Sequence, residues 1–473
     1  MLAIPFFFFL AAQIVDATHS FDIVIRNGRV MDPQSGRDEI ANVGIRDGSI
    51  AVITNQSIHG RKEIEATGLV VAPGFIDILS STLPDRETHI QKLTDGVTTT
   101  VGMHGGPLDA AEYHKRMVAV GPLINYGCAV GDRTIRTAAG ATDPYKAATA
   151  DQVERMKLLA ERAIRSGAVG IGFGINYAPG ESYEEIYALF ETAAKHGVPC
   201  HLHARYKGNV FPQTMSLAVM EVISMAAATG AQAELVHLTS STVGSAPLCI
   251  RLIEGAARNG VKVGFDFHVW TRNETTLQSA LYDEGWQERF GGISYEQIFV
   301  AATQEQLKKN RFEELRRQKA PIEVQTEFIK DDEIEMAVKS PLGVVASDGG
   351  GLENDKGHPR SVGTFARFLR LYVREKKLLS LMEGLRRISL MPAQRLEMAI
   401  PRMSRKGRLR EGSDADIIVF DPQQIGERAT YANPAQRSVG VQAVIVNGIA
   451  VMDEGKIIEG VAPGQWLRHP SGG

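Results

Sequence analysis

Four segments of this chain each end an apolar, β-branched run on a side chain able to bind a metal or move a proton. They close on His104 after Val97-Thr98-Thr99-Thr100-Val101, on His203 after Val198-Pro199-Cys200-His201-Leu202, on His237 after Ala233-Glu234-Leu235-Val236, and on Asp348 after Leu342-Gly343-Val344-Val345-Ala346-Ser347. Imidazole nitrogens are zinc ligands, and a carboxylate beside them serves as a further ligand or as a general base. Any one of these histidines alone reads as a hydrogen-bonded structural residue. Recurrence at four strand ends, each separated from the next by one or more strand-helix units, points to one shared site. His201 and His203 are two apart and so face the same side of a regular strand. That makes His201 a possible relocated ligand, with a structural or supporting role as the blander reading.

The elements that must position these residues show in the periodicity. Amphipathic helices over Ala150–Ser166 and Tyr183–His196 alternate with apolar strands over Val169–Phe173 and Val198–His203. Continued over some 300 residues, this alternation predicts an α/β fold, a distorted (β/α)8 TIM barrel, whose working residues lie at the C-terminal ends of the strands. Short strand patterns broken by Asn27-Gly28 and Asp47-Gly48 precede it, and a similar texture returns in Ala415–Phe420 and Val441–Gly448. The two ends are expected to pair into a small β-sandwich. The predicted division is a leader at 1–19, the first half of the sandwich at 20–72, the barrel at 73–405 and the second half at 406–473.

At 473 residues, the chain suits a large barrel with an accessory domain. A net charge of −3 gives no electrostatic case for nucleic acid or an anionic membrane, so a small-molecule substrate is expected. The apolar stretch Leu2–Ala12, shorter than a membrane span, precedes Val15-Asp16-Ala17, whose small residues suit signal-peptidase cleavage. Export to the periplasm or outside the cell is therefore expected, with no membrane span after the leader is removed. Cys128, Cys200 and Cys249 are too few for a disulfide framework.

The order of these strand ends resembles that of the amidohydrolase superfamily, and further motifs narrow the resemblance to its N-acyl-D-amino-acid deacylases. Those motifs are Pro73-Gly74-Phe75-Ile76-Asp77, Ala168–Gly180 with its Tyr-x-Pro-Gly ending, His358-Pro359-Arg360-Ser361-Val362-Gly363-Thr364-Phe365, Met391-Pro392-Ala393 and Gly407–Asp416. The resemblance implies a zinc-dependent hydrolase of amide bonds. Its metal-bridging cysteine falls on His104, its two later histidine ligands on His203 and His237, and its catalytic aspartate on Asp348. Asp348 is then the base or a weak fourth ligand. The arginine that would hold a substrate carboxylate falls on Arg360, and the pocket tyrosine on Tyr177.

The departures are as specific as the matches. A His-x-His metal pair is expected after Asp77, but Leu79 and Ser81 stand there, and neither is a plausible ligand. One zinc ion is therefore expected rather than two. Exchanging a thiolate for the neutral imidazole of His104 raises the charge of the site by one, which should polarise a bound carbonyl or water more strongly. Asp132, His268 in Asp266-Phe267-His268-Val269-Trp270, and Thr239 in place of an expected lysine all fall around the presumed substrate. His268 and Thr239 join the candidate substrate-binding residues. Non-hydrolytic chemistry on the same barrel, and a non-catalytic binding role, stand behind the hydrolase reading.

Overall fold

The structure is a computed structural model that describes residues 20–81 and 84–470; the leader expected at 1–19 lies outside the described residues. Parallel strands run at Phe75–Asp77, Val97–Gly102, Asn125–Cys128, Val130–Gly131, Ile171–Gly174, Cys200–His203, Ala233–Leu235, Val263–Phe267 and Gly343–Val345. They form a three-stranded and a six-stranded arc. Asn125–Cys128 and Val130–Gly131 are one stave interrupted at Ala129, so the two arcs make an eight-stave barrel. The ladder is broken in two places.

One break is bridged at Ala129, whose N–H donates to Gly102 O at 2.9 Å. The other, between the first and last staves, is closed by buried charge. Asp77 is fully buried and forms an ion pair with Lys92 at 2.8 Å. It also accepts from the Ser347 backbone N–H at 3.0 Å and from the Ser347 hydroxyl at 2.5 Å. Ser347 Oγ in turn accepts from Lys92 Nζ and from Gly349 N–H, each at 2.9 Å. Ser81 N–H donates to Gly349 O at 2.9 Å and completes the seam.

The barrel helices start and stop where local chemistry dictates. Ala150–Arg165 opens on a capping box of Thr149 and Gln152, and Tyr183–His196 on one of Ser182 and Glu185. The second ends at Gly197, whose φ of +66° is left-handed and free of the Cβ penalty. Both helices agree closely with the sequence reading. An excursion between the last two staves forms a small antiparallel sheet of Arg272–Thr276, Ile298–Val300 and Glu323–Glu327, which the sequence reading passed over.

The two chain ends do pair. Val70–Pro73 lies antiparallel to Ile417–Phe420, which joins N- and C-terminal strands into one nine-stranded sheet. Period-two alternation explains its uninterrupted apolar runs. Ile417, Val419 and Val71 face a small separate core with Ile25 and Ile445, while Ile418, Phe420 and Val70 face the main core of the barrel. The chain then returns to the barrel, where Gln465 and Leu467 hydrogen-bond along the stave that contains Tyr126. Among the described residues, no helix is long and apolar enough to cross a membrane.

The seam makes a stability prediction. Removing one partner of a buried ion pair leaves an uncompensated charge, which costs about 3–5 kcal/mol. Lys92→Met should lower unfolding free energy in urea by about that amount, and Asp77→Asn/Lys92→Met should lose clearly less. A Lys92→Met protein within about 1 kcal/mol of wild type would contradict the seam's role.

Candidate metal and substrate site

His104, His203, His237 and Asp348 come together at the C-terminal mouth of the barrel around one cavity of about 210 Å³, which Tyr177 and Arg360 also line. The His104 and His203 ring centroids are 5.7 Å apart, and those of His203 and His237 are 4.7 Å apart. His203 ends its stave, and its Nδ1 lies 3.0 Å from Phe173 O. A carbonyl can only accept, so Nδ1 carries the proton and Nε2 keeps its lone pair. His237 sits in a turn with φ of +31°, held by its backbone N–H donating to Asp266 Oδ1 at 2.7 Å. Asp348 also has a left-handed backbone, φ +53°, between the two seam residues Ser347 and Gly349. Such conformations in non-glycine residues persist only where the surroundings enforce them.

Burial sets the charge states. It pushes the His203 imidazole down to about 4, with the neighbouring His104 adding to the effect and Asp348 opposing it. It pushes His237 well below the ordinary histidine range against the pull of Asp348. Both rings are therefore neutral near pH 7, the form that binds metal. Burial would raise the Asp348 carboxyl, but the Arg360 charge foremost and the hydrogen bond from His104 outweigh it, so the group stays well below the carboxylate range. One Asp348 oxygen meets His104 Nε2, and the other lies 2.6 Å from an Arg360 guanidinium nitrogen. The Arg360 contact is an ion pair by distance that lacks hydrogen-bond alignment, and Nε of Arg360 is buried without a partner.

Other expected residues fall differently. His201 is fully buried with both ring nitrogens unpartnered and lies outside the cavity lining. Thr239 is buried away from the cavity, and its neighbour Ser240 lines it instead. The turn after His237 advances the chain as a short helix, Thr239–Thr242, rather than as extended strand, which changes the residue that faces inward. His268 stands behind the wall, with Nδ1 accepting from Trp270 N–H at 3.3 Å and Nε2 2.9 Å from Ser240 Oγ. It orients Ser240 and does not face the cavity. Leu79 belongs to the main core, and Ser81 lines the cavity.

The sequence reading missed Lys207, Asn273, Glu274 and Glu323, all of which line the cavity. Three come from the small antiparallel sheet, which covers the mouth. Lys207 follows His203 by four residues, and its position just past a strand end was the available signal.

Zinc was expected here, and the donor types suit it. His203 offers one lone pair, His237 and His104 each have a buried Nδ1 without a partner, and all three rings share the cavity. His104 and Arg360 contact the two Asp348 oxygens. Among the described residues no group of three or more His, Cys, Asp and Glu is placed closely enough to hold an ion. The residues fit the metal in kind: three imidazoles and a carboxylate line one cavity and would hold it.

Comparison with known proteins agrees with this architecture. The sequence profile of the Amidohydrolase family matches residues 95–452. N-acyl-D-glutamate deacylase of Alcaligenes xylosoxydans xylosoxydans is 29% identical over 479 residues, spanning 92% of this chain and 94% of its own length. D-aminoacylase of the same organism is 29% identical over 481 residues, spanning 92% and 95%. The crystal structure of N-acyl-D-glutamate deacylase from Bordetella bronchiseptica, complexed with zinc and a phosphonate mimic of the tetrahedral intermediate, superimposes with a TM-score of 0.82. It is 28% identical, over 95% of this chain and 99% of that one. A D-aminoacylase structure described by one-metal activation and second-metal attenuation gives a TM-score of 0.81 at 25% identity, over 95% and 100%. With eight parallel staves, a pendant sheet from both chain ends and a profile match across most of its length, the chain belongs to the amidohydrolase family.

Proposed function

We propose that this chain hydrolyses the amide bond of N-acyl amino acids, D-configured ones foremost, using one zinc ion held by His104, His203 and His237. The carrying observation is the convergence of these three imidazoles with Asp348 on one cavity, while Leu79 is buried in the core. The relatives that match nearly the whole chain are named as N-acyl-D-glutamate deacylase and D-aminoacylase, which supports the substrate class.

Zinc, when bound, supplies Lewis acidity to the scissile carbonyl and to water. The protein groups do the rest. Asp348 accepts the proton of the attacking water and returns it to the leaving nitrogen. Arg360 holds Asp348 ionised and fixes one of its oxygens while the other faces His104. The Arg360 guanidinium, expected to hold a substrate carboxylate, is already engaged by Asp348. Tyr177, whose hydroxyl lies 3.3 Å from Thr275 Oγ1, joins the barrel mouth to the covering sheet and narrows the approach of water.

Two measurements test this reading. Asp348→Asn should lower kcat/KM for N-acetyl-D-amino acids by about 10²–10⁴ without unfolding the protein, and wild type should place one solvent oxygen in the acid product in H₂¹⁸O. A fully active variant or an unlabelled product would overturn the hydrolytic mechanism. Purified protein should carry about one zinc per chain, and His203→Ala/His237→Ala should carry almost none. Two tightly held ions per wild-type chain would contradict the single-metal site.

A further inference from the structure

Lys207 is 6% exposed, and among the described residues no carboxylate lies within ion-pairing distance of it. Its ammonium is held between the rings of Phe290 and Phe328, at 4.6 and 4.7 Å from their centroids. It lines both the inner cavity and an outer compartment of about 360 Å³, with Asn176 and Leu281 also shared between the two. Arg289 lines the outer compartment and donates only to the carbonyls of Leu281, Asp283 and Glu284, so its charge is not neutralised by a contacting carboxylate. A buried ammonium without a counter-ion is costly, and aromatic faces offset only part of that cost. Burial pushes Lys207 down to about 7 despite the more distant Asp348, while Arg289 adds to the fall. An anion arriving from outside would reverse that shift.

We propose that Lys207 seats a substrate carboxylate at the junction of the two compartments, with an apolar chain of the same substrate running outward past Tyr206, Leu281 and Phe290. This rests on the N-acyl amino acid reading above. The other acidic groups narrow the location. Glu274 and Glu323 line the inner cavity and offer an anion no partner there, while Asp283 is already engaged by Arg316 and Tyr145. Glu181 faces Asp132, and burial and that neighbour push its carboxyl well above the usual range, which weakens its opposition to the cations. Arg360 already has a carboxylate in Asp348, whereas Lys207 has none in contact.

The test uses the zinc-loaded protein and a non-hydrolysable probe, N-methylsulfonyl-D-phenylalanine, against its primary carboxamide, with affinities read by calorimetry. Wild type should bind the acid at least about tenfold more tightly than the carboxamide, since hydrogen bonds to charged groups are the strong ones. In both Lys207→Met and Lys207→Gln, folding checked by melting temperature, that ratio should fall to about one. A ratio unchanged in both variants, a ratio lost only in Arg360→Met, or a wild type that does not discriminate would each overturn the assignment. Hydrolysis of N-acetyl-D-phenylalanine is followed in parallel. A wild type that discriminates the acid but cleaves nothing would refute the hydrolase and keep the seat, whereas cleavage without discrimination would do the reverse.

Discussion

The buried contact of Asp77, Lys92 and Ser347 is the constraint on which the site depends. It is a charge pair at 2.8 Å with almost no solvent exposure, closing the ladder where the first and last staves of the barrel meet. A buried ion pair contributes little net stability compared with apolar packing, so its value is positional. Asp77 fixes Ser347, Ser347 fixes Gly349 N–H, and between them Asp348 is held at φ +53° with its carboxylate turned into the cavity. The same aspartate that ends the first stave thus sets the aim of the carboxylate that follows the last.

Around that fixed carboxylate the site is assembled from neutral rings. His203 is locked by a carbonyl and His237 by the Asp266 carboxylate acting on its backbone, and burial keeps both imidazoles unprotonated. All three cysteines are buried, and burial raises each thiol, Cys128 to about 12 and Cys249 to about 11. None is among the residues lining the cavity. Nitrogen and oxygen are therefore the donors the fold offers, which is the expected consequence of His104 standing where the family resemblance implied a thiolate.

The barrel was legible because its signals are local. Amphipathic runs over Ala150–Ser166 and Tyr183–His196 mark two of its helices, and the histidines and Asp348 follow apolar runs whose periodicity places them at strand ends. Pairing of the chain ends was legible from the repeated strand texture, and the structure adds that Ile417–Phe420 is buried on both faces. Three features were not legible. The covering sheet of Arg272–Thr276, Ile298–Val300 and Glu323–Glu327 pairs across long, irregular connections, and its residues Glu274 and Glu323 look like ordinary surface charge in the sequence. Thr239 and Ser240 exchange roles because a short helix, with no capping residue to announce it, replaces extended chain. His268 was read as facing the pocket, yet its hydrogen bonds to Ser240 and Trp270 are long-range facts that no spacing encodes.

The central claim is that one zinc sits among imidazoles at the mouth of the barrel. Zinc K-edge X-ray absorption on the loaded protein addresses it directly. The account predicts a first shell of nitrogen and oxygen at about 2.0–2.1 Å with the outer-shell scattering of imidazole rings. A sulfur shell at about 2.3 Å, or zinc whose spectrum shows no imidazole, would contradict it.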